Sequence, residues 1–195
     1  YIGEPTPWHN QNDTPVKSSY FGIVDTAGIP KNDYYLYQSQ WLALDQQPMV
    51  HILPHWNWEI HKSYQQVVDK YGDIPVRVYS NARSVELFLN EKSQGRKTFQ
   101  EKWTSDGRKY QEGEGSDQLY LEWRLAYQPG ELRAVAYDHQ GQLVAEDRVV
   151  TAGKPAKIGL HAEKTQLEPD GQDLLYLYFD VLDKDGNWVP SASNQ

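Results

Sequence analysis

Residues 75–89, PVRVYSNARSVELFL, decide the fold that the sequence predicts. On each side of a short interruption around Asn81, apolar side chains recur at every second position. A period of two residues is typical of a β-strand with one buried face. The stretch therefore predicts two strands joined by a turn. The residues expected on the buried face are Val76, Val78, Val85, Leu87 and Leu89. The residues expected on the other face are Arg77, Tyr79, Glu86 and Phe88.

The same alternation returns further along the chain, at residues 119–125, 130–138 and 143–151. Each run is bounded by Gly, Pro, Asn or Asp, which favour turns. About six strands therefore fall between residues 75 and 152, and we expect a small antiparallel sandwich. Residues 94–118 are charged and rich in Gly, so we interpret them as a solvated loop between strands.

The composition excludes several classes of function. The 195 residues contain no cysteine, which excludes disulfides, thiolate metal sites and a cysteine nucleophile. A formal net charge of -8 argues against a nucleic-acid partner. No apolar run approaches the roughly 18 residues that a membrane-spanning segment needs. The chain has 7 Trp and 14 Tyr but only 4 Phe, and amphipathic rings of this kind stack well on sugar faces.

The first 19 residues lack periodicity and are rich in Pro, Asn and Thr, which predicts a long ordered loop. Trp8 and His9 are its most conspicuous side chains, and they either line a pocket or pin the loop to a core. Glu4 is a candidate catalytic carboxylate. Because glycoside hydrolysis needs two carboxylates facing one bond, a hydrogen-bonding or capping role is favoured for Glu4.

Residues 20–24 form a short apolar run, which predicts a strand buried on both faces. Residues 31–44 then predict a helix with Asn32 or Asp33 as its cap. The side chains at helical spacing are Tyr34, Tyr37, Gln38, Trp41 and Leu44. A strand followed by a helix is not expected in an antiparallel sandwich, so residues 1–47 are assigned to a different domain.

Residues 48–73 are aromatic and polar, and we interpret them as a connector. His51, His55 and His61 raise the alternative of a metal site. Because Pro54 prevents the helical face that would bring the first two together, packing and hydrogen bonding are favoured and no metal ligand is assigned. Residues 55–58 are expected to cover the seam between the two domains.

The strand pattern starts again after residue 153, at residues 156–160 and 174–182. Asp183, Asp185 and Gly186 are spaced like the start of a calcium loop, but the other ligands are missing, so a hairpin turn is favoured. Residues 154–195 therefore predict the start of a second, truncated β-sandwich.

Five stretches of the chain resemble bacterial β-galactosidases of glycoside hydrolase family 2, and together they span essentially the whole sequence. They are SSYFGIVDTAGIPKNDYYLYQSQW (18–41), VHILPHWNW (50–58), VRVYSNARSVELFLNEKSQGRK (76–97), LAYQPGELRAVAYDHQGQLVAEDRVVTAGKP (125–155) and DLLYLYFDVLDKDGNWVPSASNQ (173–195).

The resemblance implies a mainly β fold class and a division into four segments. In this family a (β/α)8 barrel that holds the chemistry follows two β domains and precedes further β-sandwiches. Residues 1–47 would then be the last strand and helix of the barrel, and 48–73 the connector. Residues 74–153 would be an immunoglobulin-like antiparallel β-sandwich, and 154–195 the start of the second sandwich.

The chemistry implied by the resemblance is that of a retaining glycosidase with two Glu residues. The acid/base follows the fourth barrel strand in an Asn-Glu pair and the nucleophile follows the seventh, so both are expected upstream of Tyr1. Asn90 and Glu91 also form such a pair, but they fall in a predicted sandwich hairpin. We therefore expect no catalytic residue in this chain and no hydrolysis by the chain alone. The residues expected at the rim of the substrate pocket are Tyr1, Glu4, Trp8 and His9.

The resemblance also implies a neutral substrate. Relatives specific for glucuronic acid carry Asn and Lys at the positions of Ser19 and Phe21, just before the glycine that matches Gly22. The expected partners are therefore a β-galactoside carbohydrate and the remainder of the same enzyme, with no nucleic acid and no membrane-spanning segment. No cofactor is expected in the chain. A structural or activating Mg or Na ion is compatible with what the resemblance implies for the whole enzyme. A secreted or bacterial cell-surface location is implied in the same way.

The alternative is that the sandwich is a carbohydrate-binding or adhesive module, or a purely structural one. A sugar-binding module predicts an exposed row of aromatic rings. The candidates for that row are Tyr79, Trp103, Tyr110, Tyr120 and Trp123. Trp123 alternates with Leu119 and Leu121, which favours a place in the core for Trp123 and leaves Tyr120 outside.

Overall fold

A computed structural model of the chain describes residues 22–25, 28–58 and 72–192. Within this part the chain forms a single helix and ten strands. They are α1 (Asn32–Trp41), β1 (Val50–Leu53), β2 (Asp73–Ser80), β3 (Ser84–Leu89), β4 (Lys92–Trp103), β5 (Lys109–Gly113), β6 (Leu121–Ala126), β7 (Glu131–Tyr137), β8 (Leu143–Val150), β9 (Lys157–Ala162) and β10 (Leu177–Leu182).

The strands form two sheets and a separate two-stranded ribbon, and every strand pair in the described part is antiparallel. The first sheet has the order β1-β2-β6 and the second has the order β5-β4-β3-β7-β8. Apolar side chains from both sheets meet in one core. The predicted mainly β fold with an antiparallel sandwich is thus confirmed. The β9-β10 ribbon lies outside both sheets.

The stretch 75–89 joins the two sheets of the sandwich. Its two strands, β2 and β3, do not pair with each other, because β2 pairs with β1 and β6 while β3 pairs with β4 and β7. The predicted buried face is confirmed, since all five of its apolar residues lie in the core. The turn therefore crosses from one layer to the other, so that both strands present their apolar faces to one another.

Tyr79 departs from the simple alternation. Its side chain is only 6% exposed although it points away from the sandwich core. Tyr79 pairs with His51 on β1, and His51 in turn stacks on Tyr35 of α1, so the helix covers this side of the first sheet. A neighbouring helix is invisible to a period-two pattern, which is why the sequence placed Tyr79 on an open face.

The solvated loop predicted at residues 94–118 is wrong. The segment contains most of β4 and all of β5, which pair from Phe99 opposite Gly113 to Trp103 opposite Lys109. Phe99 is the only fully buried apolar side chain that β4 contributes to the core. Beyond it the hairpin is held by cross-strand ion pairs such as Lys102 with Glu112. A strand pair stabilised by charged side chains gives no apolar alternation to read.

The helix is shorter than the predicted range of residues 31–44. It begins at Asn32 and ends at Trp41, and the N-cap is Lys31 without a side-chain hydrogen bond, so the predicted cap is wrong. Ser39 is the buried residue of the helix, whereas Trp41 is 75% exposed. Tyr35, which stacks on His51, and the buried Ser39 therefore lie on the side of α1 that faces the sandwich, whereas Tyr37 and Trp41 are exposed.

The turn after β10 is confirmed as a hairpin-type turn. The Asp183 carboxylate accepts hydrogen bonds from the backbone N–H groups of Gly153, Asp185 and Asn187 and from Asn187 Nδ2. These hydrogen bonds, led by the one from Gly153, hold the pKa of Asp183 well below its usual range. Its oxygens thus organise the turn and tie the ribbon to the end of the sandwich.

Candidate functional site

The predicted rim residues Tyr1, Glu4, Trp8 and His9 lie outside the described residues, as do Ser19, Phe21 and His61. The structure therefore does not bring them together or separate them, and their roles stay predictions. The described part instead shows how α1 and the connector attach to the sandwich, and which clefts this attachment creates.

Asn90 and Glu91 form the turn of the β3-β4 hairpin, as the sequence predicts. Both have positive φ values, 50° and 63°, which suits the tight turn between two adjacent strands. Glu91 is exposed and pairs with Arg133 at 3.2 Å, and Asn90 Oδ1 accepts a hydrogen bond from the Glu131 N–H at 2.9 Å. This Asn-Glu pair thus serves the hairpin and its neighbouring strand.

An exposed row of aromatic rings on the sandwich is not observed among the described residues. Tyr79 and Trp123 are buried, and Tyr120 is only partly exposed, with its ring 6.3 Å from that of Tyr79. The core position of Trp123 is as predicted. Trp103, at the end of β4, is 62% exposed and is the most exposed of the five candidates. The five candidates therefore do not form the exposed row of rings that a sugar-binding module predicts, and sugar binding by the sandwich stays an alternative.

The seam between α1 and the sandwich is built around His51. Its ring stacks on Tyr35 with centroids 3.7 Å apart, and its Nδ1 lies 3.7 Å from Asp147 Oδ2 on β8. The same carboxylate oxygen accepts a hydrogen bond from the Ile52 N–H at 2.8 Å. Burial lowers the pKa of His51, and the nearby Asp147 opposes that shift. Burial thus favours the neutral form of this imidazole, which packs against Tyr35.

The metal alternative named His51, His55 and His61, and it stays untested because His61 lies outside the described residues. No group of three or more His, Asp or Glu side chains that could hold an ion occurs within residues 22–25, 28–58 and 72–192. His55 stacks on Trp58 instead, with ring centroids 4.5 Å apart. The predicted packing roles of His51 and His55 are therefore confirmed.

The segment 55–58 enters the sandwich rather than only covering it. Trp56 is fully buried and its Nε1 donates to the Gln128 carbonyl at 2.8 Å. Asn57 donates to the Val150 carbonyl at 3.1 Å and accepts from the Ala152 N–H at 2.7 Å. A connector bound in this way is rigidly attached to the edge of the second sheet.

Asn81 holds the other end of the connector, a role that sequence reasoning missed. Its Nδ2 donates to the carbonyls of Leu42 at 3.1 Å and Gln47 at 2.9 Å, and its Oδ1 accepts from the Met49 N–H at 2.9 Å. In the sequence Asn81 gives only a turn signal, because Asn is common in turns whatever else it contacts. Asn81 therefore joins the end of α1 to the crossing between the two sheets.

This attachment leaves a cleft at each end of α1. The cleft at the helix N-terminus, here called the N-terminal cleft, has a volume of about 470 Å³. Its lining includes Asn32, His51, His55, Arg148, Asn187 and Trp188. The groove at the helix C-terminus, of about 620 Å³, lies between Leu42, the turn at Asn81 and the β4-β5 hairpin. Volumes of this size are typical of sites for small ligands.

The described part of the chain contains no helix that is long and apolar enough to cross a membrane.

A comparison with protein-family models finds one match, to a domain of unknown function named DUF4982, over residues 72–145. This range begins just before β2 and ends within β8, so it covers most of the sandwich.

Relatives that match over nearly the whole chain are glycosidases by name. The β-galactosidase BoGH2A of Bacteroides ovatus is 42% identical over 194 residues, which cover 100% of this chain and 19% of that protein. A Formosa agariphila protein with the provisional name β-glucuronidase is 31% identical over 207 residues, which cover 97% of this chain and 18% of the relative. The chain thus spans about a fifth of the length of these relatives.

A solved structure gives the same picture. The crystal structure of a β-glycosidase from Bacteroides vulgatus superposes with a TM-score of 0.71 and 34% identity, covering 91% of this chain and 19% of the other.

Proposed function

This chain belongs to glycoside hydrolase family 2, and we propose that the protein of which it is a segment is a retaining β-galactosidase acting on terminal β-galactosides. The observation that supports the substrate is the 42% identity to a β-galactosidase across the full length of the chain. The named β-glucuronidase relative is less similar, at 31%.

In this proposal residues 1–47 complete a (β/α)8 barrel, 48–73 connect it, 74–153 form an immunoglobulin-like sandwich and 154–195 begin a second sandwich. The two sides of α1 support the first assignment. One side contacts the sandwich through Tyr35 and Ser39, while Tyr37 and Trp41 on the other side are exposed. A helix with an apolar second side requires another partner, and barrel strands are such a partner.

The chain's contribution to catalysis is then structural. It supplies a rim of the substrate pocket through Tyr1, Glu4, Trp8 and His9, while the acid/base and nucleophile Glu residues belong to upstream barrel strands. A secreted or cell-surface location is part of the same proposal. The neutral pair Ser19 and Phe21 supports a galactoside, because a uronide carboxylate calls for charged or amide partners at those positions.

The experiment that tests this proposal compares two substrates with the full-length protein. We expect kcat/KM for nitrophenyl β-galactoside to exceed that for nitrophenyl β-glucuronide by at least about a hundredfold, since an unpaired buried carboxylate is strongly rejected. A double variant, Ser19→Asn with Phe21→Lys, is the matched control and should raise the glucuronide rate. Equal or faster hydrolysis of the glucuronide by the unmodified protein would overturn the substrate assignment.

A further inference from the structure

The N-terminal cleft combines an aromatic platform with polar side chains. Trp188 is 56% exposed and lies on the cleft wall formed by the turn after β10. The connector residue His55 and the first helical residue, Asn32, also line this cleft. Arg148 on β8 adds a charged donor, and it is 70% exposed. An indole face with hydrogen-bonding groups around it is the arrangement that binds a sugar ring.

The walls of the cleft come from three parts of the chain that hydrogen bonds join to one another. The connector is bound to the end of β8 through Asn57 and Ala152. The turn that carries Trp188 is bound to Gly153 through Asp183. Trp188 itself bridges to Leu182 in the ribbon, and the next residue, Val189, is buried. The backbone on both sides of Trp188 is therefore fixed, by the bridge to Leu182 and by the buried Val189.

The charges of the side chains that line the N-terminal cleft indicate which class of ligand it suits. No acidic side chain is among the described residues that line this cleft; the nearby carboxylates of Asp147 and Glu131 are engaged, the first with His51 and the Ile52 N–H and the second with Arg148. The carboxylate of Asp183 beneath the Trp188 turn is occupied by four N–H donors. Uncharged hydroxyl groups, which both donate and accept, fit Asn32 and Arg148. The lining thus favours a saccharide.

The direction of α1 relates this cleft to the barrel. In a (β/α)8 barrel each helix begins on the side where the preceding strand ends, and active sites lie on that side. Asn32, the first residue of α1, lines the N-terminal cleft, whereas the groove of about 620 Å³ lies at the other end of the helix. If α1 is a barrel helix, the N-terminal cleft opens on the catalytic side and the groove does not.

We propose that the N-terminal cleft binds the sugar units to which the terminal galactose is attached, with Trp188 as the stacking platform and Asn32 and Arg148 as hydrogen-bond donors. This inference rests on the proposed function, because it needs the barrel to lie above the N-terminus of α1. According to this inference, the enzyme recognises several sugar units of an oligosaccharide and not only its terminal galactose.

The test uses the full-length enzyme with nitrophenyl β-galactoside, galactobiose and galactotriose, taking the linkage that it hydrolyses fastest. We expect Trp188→Ala to lower kcat/KM for galactotriose by about tenfold, a typical loss for one stacked ring, and to leave nitrophenyl β-galactoside hydrolysis within about twofold. Trp188→Phe keeps a ring and should retain most of the galactotriose rate. Asn32→Ala should cost about threefold on galactotriose through a lost hydrogen bond.

Trp103→Ala is the matched control, because Trp103 is a similarly exposed tryptophan on the β4-β5 hairpin, away from this cleft. We expect Trp103→Ala to leave the ratio of kcat/KM for galactotriose to kcat/KM for nitrophenyl β-galactoside unchanged. An equal loss on all substrates in Trp188→Ala would overturn the inference and assign Trp188 to packing against another part of the enzyme. A wild-type enzyme that gains nothing from the third sugar would overturn it as well. Absence of nitrophenyl β-galactoside hydrolysis by the wild type would instead contradict the proposed function itself.

Discussion

Replacing Trp56 by alanine is expected to lower the free energy of unfolding by about 3–5 kcal/mol. Trp56 belongs to the connector, is 0% exposed and packs into the core of the sandwich. Its ring lies 5.3 Å from that of Tyr127, and its Nε1 donates to the Gln128 carbonyl. Truncation leaves a large cavity and removes the hydrogen bond to the Gln128 carbonyl, and both effects destabilise the folded state. Urea denaturation of the chain, followed by circular dichroism, measures the change.

The control for Trp56→Ala is Trp103→Ala, at an exposed position. We expect that variant to change the free energy of unfolding by no more than about 0.5 kcal/mol. If the two variants were equally stable, the connector would not be part of the sandwich core, and the attachment of α1 through it would be wrong.

The Asn81→Ala variant is expected to lose about 2–3 kcal/mol of stability, since each of three hydrogen bonds contributes about 0.5–1.5 kcal/mol. The bonds join the crossing between the sheets to Leu42, Gln47 and Met49. Because all three partners lie between α1 and β1, the loss should fall on the docking of the helix. Amide hydrogen exchange of residues 32–49 should therefore accelerate more than exchange in β3 and β7.

The matched variant for Asn81 is Asn81→Asp. It keeps the oxygen that accepts from the Met49 N–H but loses both donated hydrogen bonds, so its stability should lie between that of the wild type and that of Asn81→Ala. Stability of Asn81→Ala equal to that of the wild type would show that Asn81 serves the turn alone.

The sandwich could be predicted from the sequence because its core strands alternate cleanly. Val76, Val78, Val85 and Leu87 recur at a period of two, and each is fully buried. Local alternation does not say which strand is the neighbour of which, so the crossing of 75–89 between the two sheets was not predictable. The same limit applies to Tyr79, which is covered by a helix that lies about forty residues earlier in the chain.

The β4-β5 hairpin and the helix show two other limits. In the hairpin, ion pairs such as Lys109 with Glu101 replace apolar alternation, and charged segments read as loops. In α1, the spacing of Tyr37 and Trp41 indicated a helix in a different domain, and it gave no sign that Tyr35 would stack on His51 of the sandwich. A sequence pattern identifies an apolar face without identifying its partner.

The sequence indicated aromatic and polar residues suited to binding sugar, but it did not predict which of them line the N-terminal cleft. The sequence around Trp188 gives no site signal, whereas the fold places it in the lining of one cleft together with His55 and Asn32. Trp188 lies more than a hundred positions after both His55 and Asn32 in the chain, and its proximity to them depends on how the ribbon attaches to the sandwich. Tertiary attachment of this kind has no local signal.

The most direct test of the central claim is nitrophenol release from nitrophenyl β-galactoside by the purified 195-residue chain, alone and then mixed with a polypeptide that supplies the upstream barrel. A chain that completes a barrel without its catalytic Glu pair should be inactive alone and should gain activity on mixing. Hydrolysis by the chain alone would contradict the claim, because the catalytic pair would then have to lie within these residues.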